Sequence, residues 1–229
     1  MTAAATGSGF GGVIERHFVR RGHGVEFEME ADWIKAQLPR EARRVVDLGC
    51  GGGALFSVIG LERVVGVDLE AGGLRYTRQR FLSVPLLCGS AQRVPLADQS
   101  VDAITLQHVI EHLPDVEAAM GEWFRVLRPS GLLLIQTPNA AFVDPSVFDD
   151  PTHMHLFTGT ELDGAVRAAG FQVTESRTLG LPWLLHYARI PGGWRLRRWV
   201  TTHARGLSQL GPLRRRGQTL CCAARRPAR

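Results

Sequence analysis

Short apolar runs alternate with longer amphipathic segments along most of this chain. Mainly apolar runs bounded by glycine, proline or charged residues predict β-strands, and the segments between them predict helices. The predicted strands cover residues 44–48, 63–68, 84–88, 101–106, 132–137 and 171–177. The predicted helices cover residues 28–38, the residues that follow Gly53, and residues 72–81, 116–127 and 160–169. This alternation predicts an α/β fold with a mostly parallel sheet and helices on both of its faces.

Three segments depart from the alternation. Residues 1–27 are rich in glycine and small residues, so we expect a flexible N-terminal segment before a single domain over residues 28–229. Residues 218–224 have strand character and are expected to return antiparallel as the last strand. The segment before them, residues 181–217, holds three of the five tryptophans among many arginines. Such a segment suits either an interfacial lid or a packed structural insertion.

Composition places the chain among ordinary globular proteins. Its 229 residues, 45% of them hydrophobic, suit one α/β domain with modest additions. The N-terminus lacks the basic and apolar regions of a signal peptide, and no apolar run is long enough to span a bilayer, so we expect a cytoplasmic protein. The four cysteines show no Cys-x-x-Cys spacing, which favours buried thiols over a zinc site or a disulfide framework.

Charge is unevenly distributed along the chain. Residues 176–229 contain 12 arginines and no acidic residue, whereas the rest of the chain carries 15 basic and 22 acidic side chains. A solvated basic face explains this, and so does contact with an anionic membrane, a phosphorylated substrate or nucleic acid.

A glycine-rich loop follows the first predicted strand. The spacing Asp-x-Gly-x-Gly-x-Gly runs from Asp47 to Gly53, and its glycines permit positive φ and leave room for a ligand beside the backbone. A helix starting near Gly53 would point its N-terminal amides at an anionic group. Nineteen residues after Gly49, the second strand ends in Asp68, whose carboxylate can accept both hydroxyls of a ribose. The pair predicts a nucleoside-binding site.

The same loop also fits the dinucleotide fingerprint Gly-x-Gly-x-x-Ala, so the cofactor must be chosen on other grounds. Asp47 suits the amino group of a methionine moiety but would repel a pyrophosphate. Lys35 is the only lysine, which excludes both a Tyr-x-x-x-Lys hydride-transfer pair and a P-loop. These features favour S-adenosylmethionine as the cofactor, and an oxidoreductase rests on the glycine pattern alone.

Over residues 28–226 the chain resembles the class I S-adenosylmethionine-dependent methyltransferases. Four blocks carry the resemblance: the loop at residues 47–53, Asp68, residues 89–102 and residues 125–132. The resemblance implies a Rossmann-like, seven-stranded, mostly parallel sheet with an antiparallel last strand. It also implies an enzyme that transfers a methyl group.

The resemblance assigns roles in cofactor binding by position. The methionine end would be held by Asp47, Gly49, Cys50 and Gly51, and the ribose by Asp68. Leu69 would pack on the adenine face, with Ser90 and Ala91 beside the ring, and Gln107 would lie near the sulfonium. Ser90 departs from the family's usual aspartate, which receives the adenine amino group, so one hydrogen bond there is weakened or rerouted.

Residues 107–115 and 150–158 most resemble small-molecule O-methyltransferases that act on quinol precursors and sugars. Methyl transfer to a hydroxyl requires close placement of the acceptor and removal of its proton, for which histidine is suited. Of the four histidines in these segments, we select His153 first and His112 second as the base or orienting residue. The other two are His108 and His155. A helix over residues 108–112 would align His108, Glu111 and His112 at metal-ligand spacing, but we assign no metal site.

The leading function is therefore an O-methyltransferase acting on a small molecule or glycan, lipid-linked and anionic acceptors included. One alternative is an RNA methyltransferase that uses the arginine-rich C-terminal region, and another is a non-catalytic cofactor-binding regulatory module. We expect the acceptor as the partner, with contact between residues 181–217 and the inner face of an anionic membrane as a further option, and we do not favour nucleic acid.

Overall fold

The computed structural model describes residues 25–143, 147–180, 203 and 216–228. The α-helices are α1 (Val25–Gln37), α2 (Phe56–Ile59), α3 (Ala71–Arg80), α4 (Val116–Val126) and α5 (Gly159–Ala168). The strands are β1 (Val45–Leu48), β2 (Val64–Asp68), β3 (Leu86–Cys88), β4 (Val101–Gln107), β5 (Leu127–Pro138), β6 (Gln172–Leu179) and β7 (Thr219–Arg225). A 3₁₀ turn, Ile110–His112, follows β4.

One seven-stranded sheet has the order β3-β2-β1-β4-β5-β7-β6. Strands β1 to β5 pair in parallel, whereas β7 runs antiparallel to both β5 and β6. This confirms the predicted Rossmann-like fold with a reversed last strand. The order changes direction at β1, between β2 and β4, which is the place where open α/β sheets bind ligands beyond their carboxyl ends.

The core fills both faces of the sheet, as the near-continuous burial of the central strands requires. Trp123 of α4 is fully buried on one face with Ile104 and Leu133. On the other face, Ile34 of α1 packs in a cluster with Phe56 of α2. Because α1 covers this second face, residues of the N-terminal helix come close to the carboxyl ends of β4 and β5.

The structure corrects the helix predicted to start near Gly53. The chain first forms turns, and α2 begins only at Phe56 and has four residues. Positive φ angles at Gly53 (75°) and Gly60 (113°) bound this stretch, because neither angle continues a right-handed helix. Within the residues that the structure describes, the helix that follows the glycine loop is therefore too short to direct a substantial helix dipole at a ligand there.

Two predicted segments lie outside the described residues. They are residues 1–24 of the flexible N-terminal segment and nearly all of the basic, tryptophan-rich segment at residues 181–217. In the part of the chain that the structure describes, no helix is both long enough and apolar enough to cross a membrane.

Candidate active site

The glycine loop begins directly after β1, at the switch point of the sheet. Gly49, Gly51 and Gly53 all have positive φ, at 71°, 49° and 75°. A Cβ on Gly49 would also overlap the side chain of Val109 in the loop after β4. Gly49 is therefore required both by its backbone angle and by the space available, as the sequence spacing predicted.

The amides at the start of this loop bond within the protein. Those of Gly49 and Cys50 donate to the carbonyl oxygen of Val67, at 2.8 and 3.1 Å, and that of Gly51 donates to Asp68 Oδ2 at 2.8 Å. These three amides tie the loop to β2 rather than pointing at a ligand. Cys50 is also buried, and burial raises the pKa of its thiol, so a role in cofactor contact falls to its backbone.

Asp47 is a buried carboxylate at the start of this site. The hydroxyl of Thr105 donates to Asp47 Oδ1 at 2.8 Å, across the pairing of β1 with β4. Burial raises the pKa of Asp47 to about 7; the Thr105 hydrogen bond opposes the shift and the charge of Asp68 adds to it. A buried carboxylate of this kind would be stabilised by a cationic ligand group, and an ammonium group fits.

Asp68 ends β2 beside the loop. Its Oδ1 accepts from the amide of Glu70 at 2.9 Å, so each oxygen already holds one backbone amide and keeps a second lone pair for a hydroxyl. The next residue, Leu69, is 69% exposed, which is unusual for a leucine and leaves an apolar surface beside the carboxylate. This arrangement fits a ribose with an adjoining aromatic base.

The residues predicted near the base follow β3. Ser90 Oγ accepts from the amide of Gln92 at 3.1 Å, and the carbonyl oxygen of Ala91 accepts from Trp123 Nε1 at 2.8 Å. Ser90 and the two residues before it line an open cavity of about 580 Å³ that extends to Arg93. The serine hydroxyl is thus engaged in a local turn, and its predicted contact with adenine stays a prediction.

Gln107, the last residue of β4, bonds to a residue that the sequence reasoning missed. Its Nε2 donates to Glu30 Oε2 at 3.0 Å. Glu30 lies on α1, is buried, and also accepts from Thr219 Oγ1 of β7 at 2.6 Å. A signal was available in the sequence, because Glu30 shares one helical face with Trp33 and Ile34, and a glutamate on an apolar face calls for a partner.

His108 lies between two buried carboxylates. Its Nε2 is 3.3 Å from both oxygens of Glu30, and its Nδ1 is 3.5 Å from Glu111 Oε1. Burial alone would lower the pKa of His108, but the charge of Glu30 and the hydrogen bonds to Glu111 and Glu30 raise it to about 10. His108 is therefore a cation at neutral pH and not a proton acceptor.

His112 and His153 form a pair. Their ring centroids are 4.8 Å apart, although 40 residues separate them in sequence. The Nδ1 of His112 donates to the carbonyl oxygen of Thr152 at 3.0 Å, and that of His153 donates to the carbonyl oxygen of Val147 at 2.7 Å. Glu111 lies beside the pair, with its Oε1 4.0 Å from His112 Nε2.

The other two candidate histidines also lie beside Glu111. His108 faces its carboxylate, whereas the amide of His155 donates to its carbonyl oxygen at 3.1 Å and the His155 ring lies 6.1 Å from that of Phe157. The helix considered over residues 108–112 does not form, because His108 has a φ of 53° and only residues 110–112 form a 3₁₀ turn. Among the described residues, the group that could hold a metal ion is Glu111, His112 and His153, with one potential ligand atom from each within 4.8 Å of the others.

The chain is similar to known methyltransferases in sequence and in structure. Residues 46–135 match the family described as "Methyltransferase domain". A protein of Mycolicibacterium smegmatis named "Probable S-adenosylmethionine-dependent methyltransferase" is 33% identical over 174 residues, which cover 74% of this chain and 65% of that protein. The malonyl-[acyl-carrier protein] O-methyltransferase of Yersinia pestis is 38% identical over 96 residues, or 41% of this chain and 36% of that one. The chain thus spans less than two thirds of the length of these relatives.

Among solved structures, a SAM-dependent methyltransferase of Thermotoga maritima superposes with a TM-score of 0.68 over 95% of this chain and 96% of that chain, at 22% identity. That likeness supports the fold. Together with the glycine loop and its two aspartates, the sequence matches place the chain in the class I S-adenosylmethionine-dependent methyltransferase family, with S-adenosylmethionine as its cofactor.

Proposed function

We propose that this protein transfers a methyl group from S-adenosylmethionine to a hydroxyl oxygen of a small molecule or glycan. His153 is the favoured base, and His112 supports it. The observation that carries this proposal is the pairing of these two histidines, with both rings fixed through Nδ1.

The hydrogen bonds decide which nitrogen of each ring can accept a proton. A carbonyl oxygen can only accept, so Nδ1 of both rings carries hydrogen and the lone pair of each neutral imidazole is on Nε2. A neutral histidine whose lone pair is on Nε2 is suited to general base catalysis near neutral pH. Each Nε2 lies beside a carboxylate, that of His153 3.9 Å from Asp150 Oδ2 and that of His112 4.0 Å from Glu111 Oε1. These carboxylates stabilise the imidazolium that forms when a proton is accepted.

The residues at the switch point hold the cofactor in this proposal. S-adenosylmethionine supplies an electrophilic methyl group on a sulfonium and leaves as the neutral S-adenosylhomocysteine. Asp47 binds the ammonium group of its methionine moiety, and the Gly49–Gly51 backbone, Cys50 included, forms the adjoining wall. Asp68 binds the ribose hydroxyls. Leu69, Ser90 and Ala91 surround the adenine, and Gln107 lies near the sulfonium.

Oxygen as the accepting atom is supported by two kinds of evidence. A hydroxyl must lose its proton during transfer, which gives the histidine pair a task. In addition, the relative from Yersinia pestis is named as an O-methyltransferase. That name describes the substrate of the relative, and the matched region covers 41% of this chain.

The test is an acceptor screen with detection of S-adenosylhomocysteine by mass spectrometry. Glycans, phenols, carboxylic acids, amines and RNA are offered to the wild-type protein and to H153N, H112N and H203N. His203 is an exposed histidine and serves as the control. Loss of a general base lowers kcat by about 10²–10⁴-fold. We expect that loss for H153N, a smaller loss for H112N, none for H203N, and unchanged affinity for S-adenosylhomocysteine in all three.

Three outcomes would overturn the proposal. Turnover restricted to amines would make the protein an N-methyltransferase, and turnover restricted to RNA would favour the alternative reading of the arginine-rich C-terminal region. Full activity of both H153N and H112N on a hydroxyl acceptor would remove the histidine pair from the reaction.

A further inference from the structure

Glu30 is a buried carboxylate that joins the N-terminal helix to the carboxyl end of β4 and to the amino end of β7. Its Oε1 accepts from Thr219, its Oε2 accepts from Gln107, and both oxygens face His108. The backbone carbonyl of Glu30 accepts from Gln136 Nε2 of β5 at 3.0 Å. Helix α1 lies outside residues 46–135, the range that matches the methyltransferase domain.

We infer that Glu30 is a positioning residue for methyl transfer: it fixes Gln107 and His108 at the end of β4 and so completes the acceptor end of the site. This inference rests on the proposed function. It assigns to helix α1 a part in the reaction, beyond its packing on the sheet.

The two buried carboxylates, Asp47 and Glu30, bond to residues that are two apart on β4. Residues of a strand that are two apart point to the same face, so Thr105 and Gln107 face the same side of the sheet. Thr105 bonds to Asp47, and Gln107 bonds to Glu30. Glu30 therefore holds Gln107, the next side chain on that face of β4 after Thr105, which holds Asp47.

The backbone of His108 has a positive φ of 53°. A positive φ is uncommon for a residue other than glycine, and such strain persists only where the surroundings hold it. Here the amide of His108 donates to the carbonyl oxygen of Gln136 at 2.9 Å, and the ring is held by Glu30 and Glu111 on its two sides. Without the Glu30 charge, only Glu111 holds the ring.

A continuous chain of contacts joins His108 to the pair formed by His112 and His153. Glu111 Oε1 is shared by His108 Nδ1, at 3.5 Å, and His112 Nε2, at 4.0 Å. Its other oxygen accepts from Thr137 Oγ1 at 3.0 Å. A shift of the His108 ring therefore changes the partner of Glu111 and the charge that His112 faces.

Helix α1 has a separate anchor, which makes the role of Glu30 testable. Trp33 Nε1 and Gln37 Nε2 donate to the two carboxylate oxygens of Glu175 on β6, at 3.0 and 2.7 Å. The apolar residues of α1 are buried as well. Neutralising Glu30 therefore leaves the helix attached while removing the group that holds Gln107 and His108.

The experiment compares E30Q and T219V with E28Q and the wild-type protein. T219V keeps the charge of Glu30 but removes one of its hydrogen bonds, and Glu28 is an exposed carboxylate on the same helix. Steady-state kinetics uses whichever acceptor the wild-type protein methylates. Imidazole signals in ¹H–¹⁵N spectra report the titration of His108, assigned with H108Q, and thermal unfolding reports attachment of the helix.

We expect E30Q to lower kcat at least 30-fold with KM for S-adenosylmethionine within threefold of the wild-type value. The His108 titration should move toward neutral pH. T219V should lower kcat about threefold to tenfold, and E28Q should match the wild-type protein.

Each contrary result has a distinct meaning. An E30Q protein with wild-type kcat, or with a loss confined to thermal stability, would overturn the inference and leave the proposed function intact. Methylation of an amine but no hydroxyl would overturn the proposed function, and the E30Q comparison on that amine would still decide the role of Glu30. Absence of turnover with every acceptor would overturn both.

Discussion

Buried carboxylates have opposite pKa shifts at the two ends of the proposed site: Asp47 at what we propose as the cofactor end, and Glu30 and Glu111 at what we propose as the acceptor end. Asp47 has a hydroxyl from Thr105 and a second carboxylate, Asp68, as its surroundings, and burial raises its pKa to about 7. Glu30 and Glu111 face a protonated histidine, and their pKa values are lowered even though burial alone would raise them. At the acceptor end the chain supplies its own cation, His108, whereas at the cofactor end the proposal assigns that part to the ammonium of the ligand. The charges at the acceptor end are therefore balanced before any ligand binds. At the cofactor end they become balanced only when the ligand binds.

This contrast predicts the largest effect for the histidine between the two glutamates. H108Q should lower the free energy of unfolding by about 3–5 kcal/mol, the range for breaking a buried ion pair by removing one partner. The folded-state pKa of about 10 lies above the unfolded value of about 6.5, so the stabilisation is complete below pH 6.5 and is lost as the pH rises toward 10. Urea unfolding of both proteins at pH 6 and pH 9.5 measures this. A difference that stays constant or grows with pH would contradict the assignment of His108 as a cation.

Removing the charge of Asp47 should change the free energy of unfolding in the opposite direction. D47N keeps an oxygen for the Thr105 hydroxyl but removes the charge, so the ligand-free protein should become more stable at pH 8, by at most about 4 kcal/mol. The sign follows from linkage: the folded pKa of about 7 exceeds the unfolded value, so charging Asp47 costs stability as the pH rises from 4 to 7, and this cost persists above pH 7. Thermal unfolding without ligand measures the gain. Calorimetry should show that affinity for S-adenosylmethionine falls at least 100-fold, and a variant that is less stable yet still binds would refute the comparison.

Proton release on binding tests whether Asp47 is charged only when the ligand is bound. If the ammonium of the cofactor binds the charged form of Asp47, the dissociation constant should rise about tenfold per pH unit below pH 7 and level off above it. At pH 6, calorimetry in buffers of different ionisation enthalpy should detect the release of about one proton per ligand. D47N should show neither effect, and pH-independent binding by the wild-type protein would remove Asp47 from ammonium recognition.

The sequence predicted the strands and the glycine loop better than the contacts around Glu30 and His108, for physical reasons. The strands, the glycine turn and Asp68 are local features, readable from short spacings and from the periodicity of apolar residues. The acceptor end depends on contacts between distant residues, because Glu30 meets Gln107 and Thr219 across 77 and 189 positions. The left-handed backbone of His108 also has only a weak local signal, because histidine adopts a positive φ more often than most residues but still uncommonly. For that reason the sequence prediction grouped His108 with His112. Both histidines do face Glu111, but the second carboxylate beside His108, Glu30, comes from a helix distant in sequence.

The smallest predicted effect concerns the adenine side, where the comparison of charges no longer applies. Leu69 is mostly exposed in the ligand-free protein, so its truncation removes little buried surface on folding. L69A should therefore leave the unfolding temperature unchanged. If the adenine ring covers this side chain, the variant loses the apolar area buried on binding, and the dissociation constants for both S-adenosylmethionine and S-adenosylhomocysteine should rise about fivefold, or about 1 kcal/mol. L61A is the matched control, because Leu61 is also exposed but lies after α2, away from the carboxyl ends of the strands. Equal affinities for L69A, L61A and the wild-type protein would mean that the exposed leucine beside Asp68 has no contact with the base, and that the carboxylates alone orient the nucleoside.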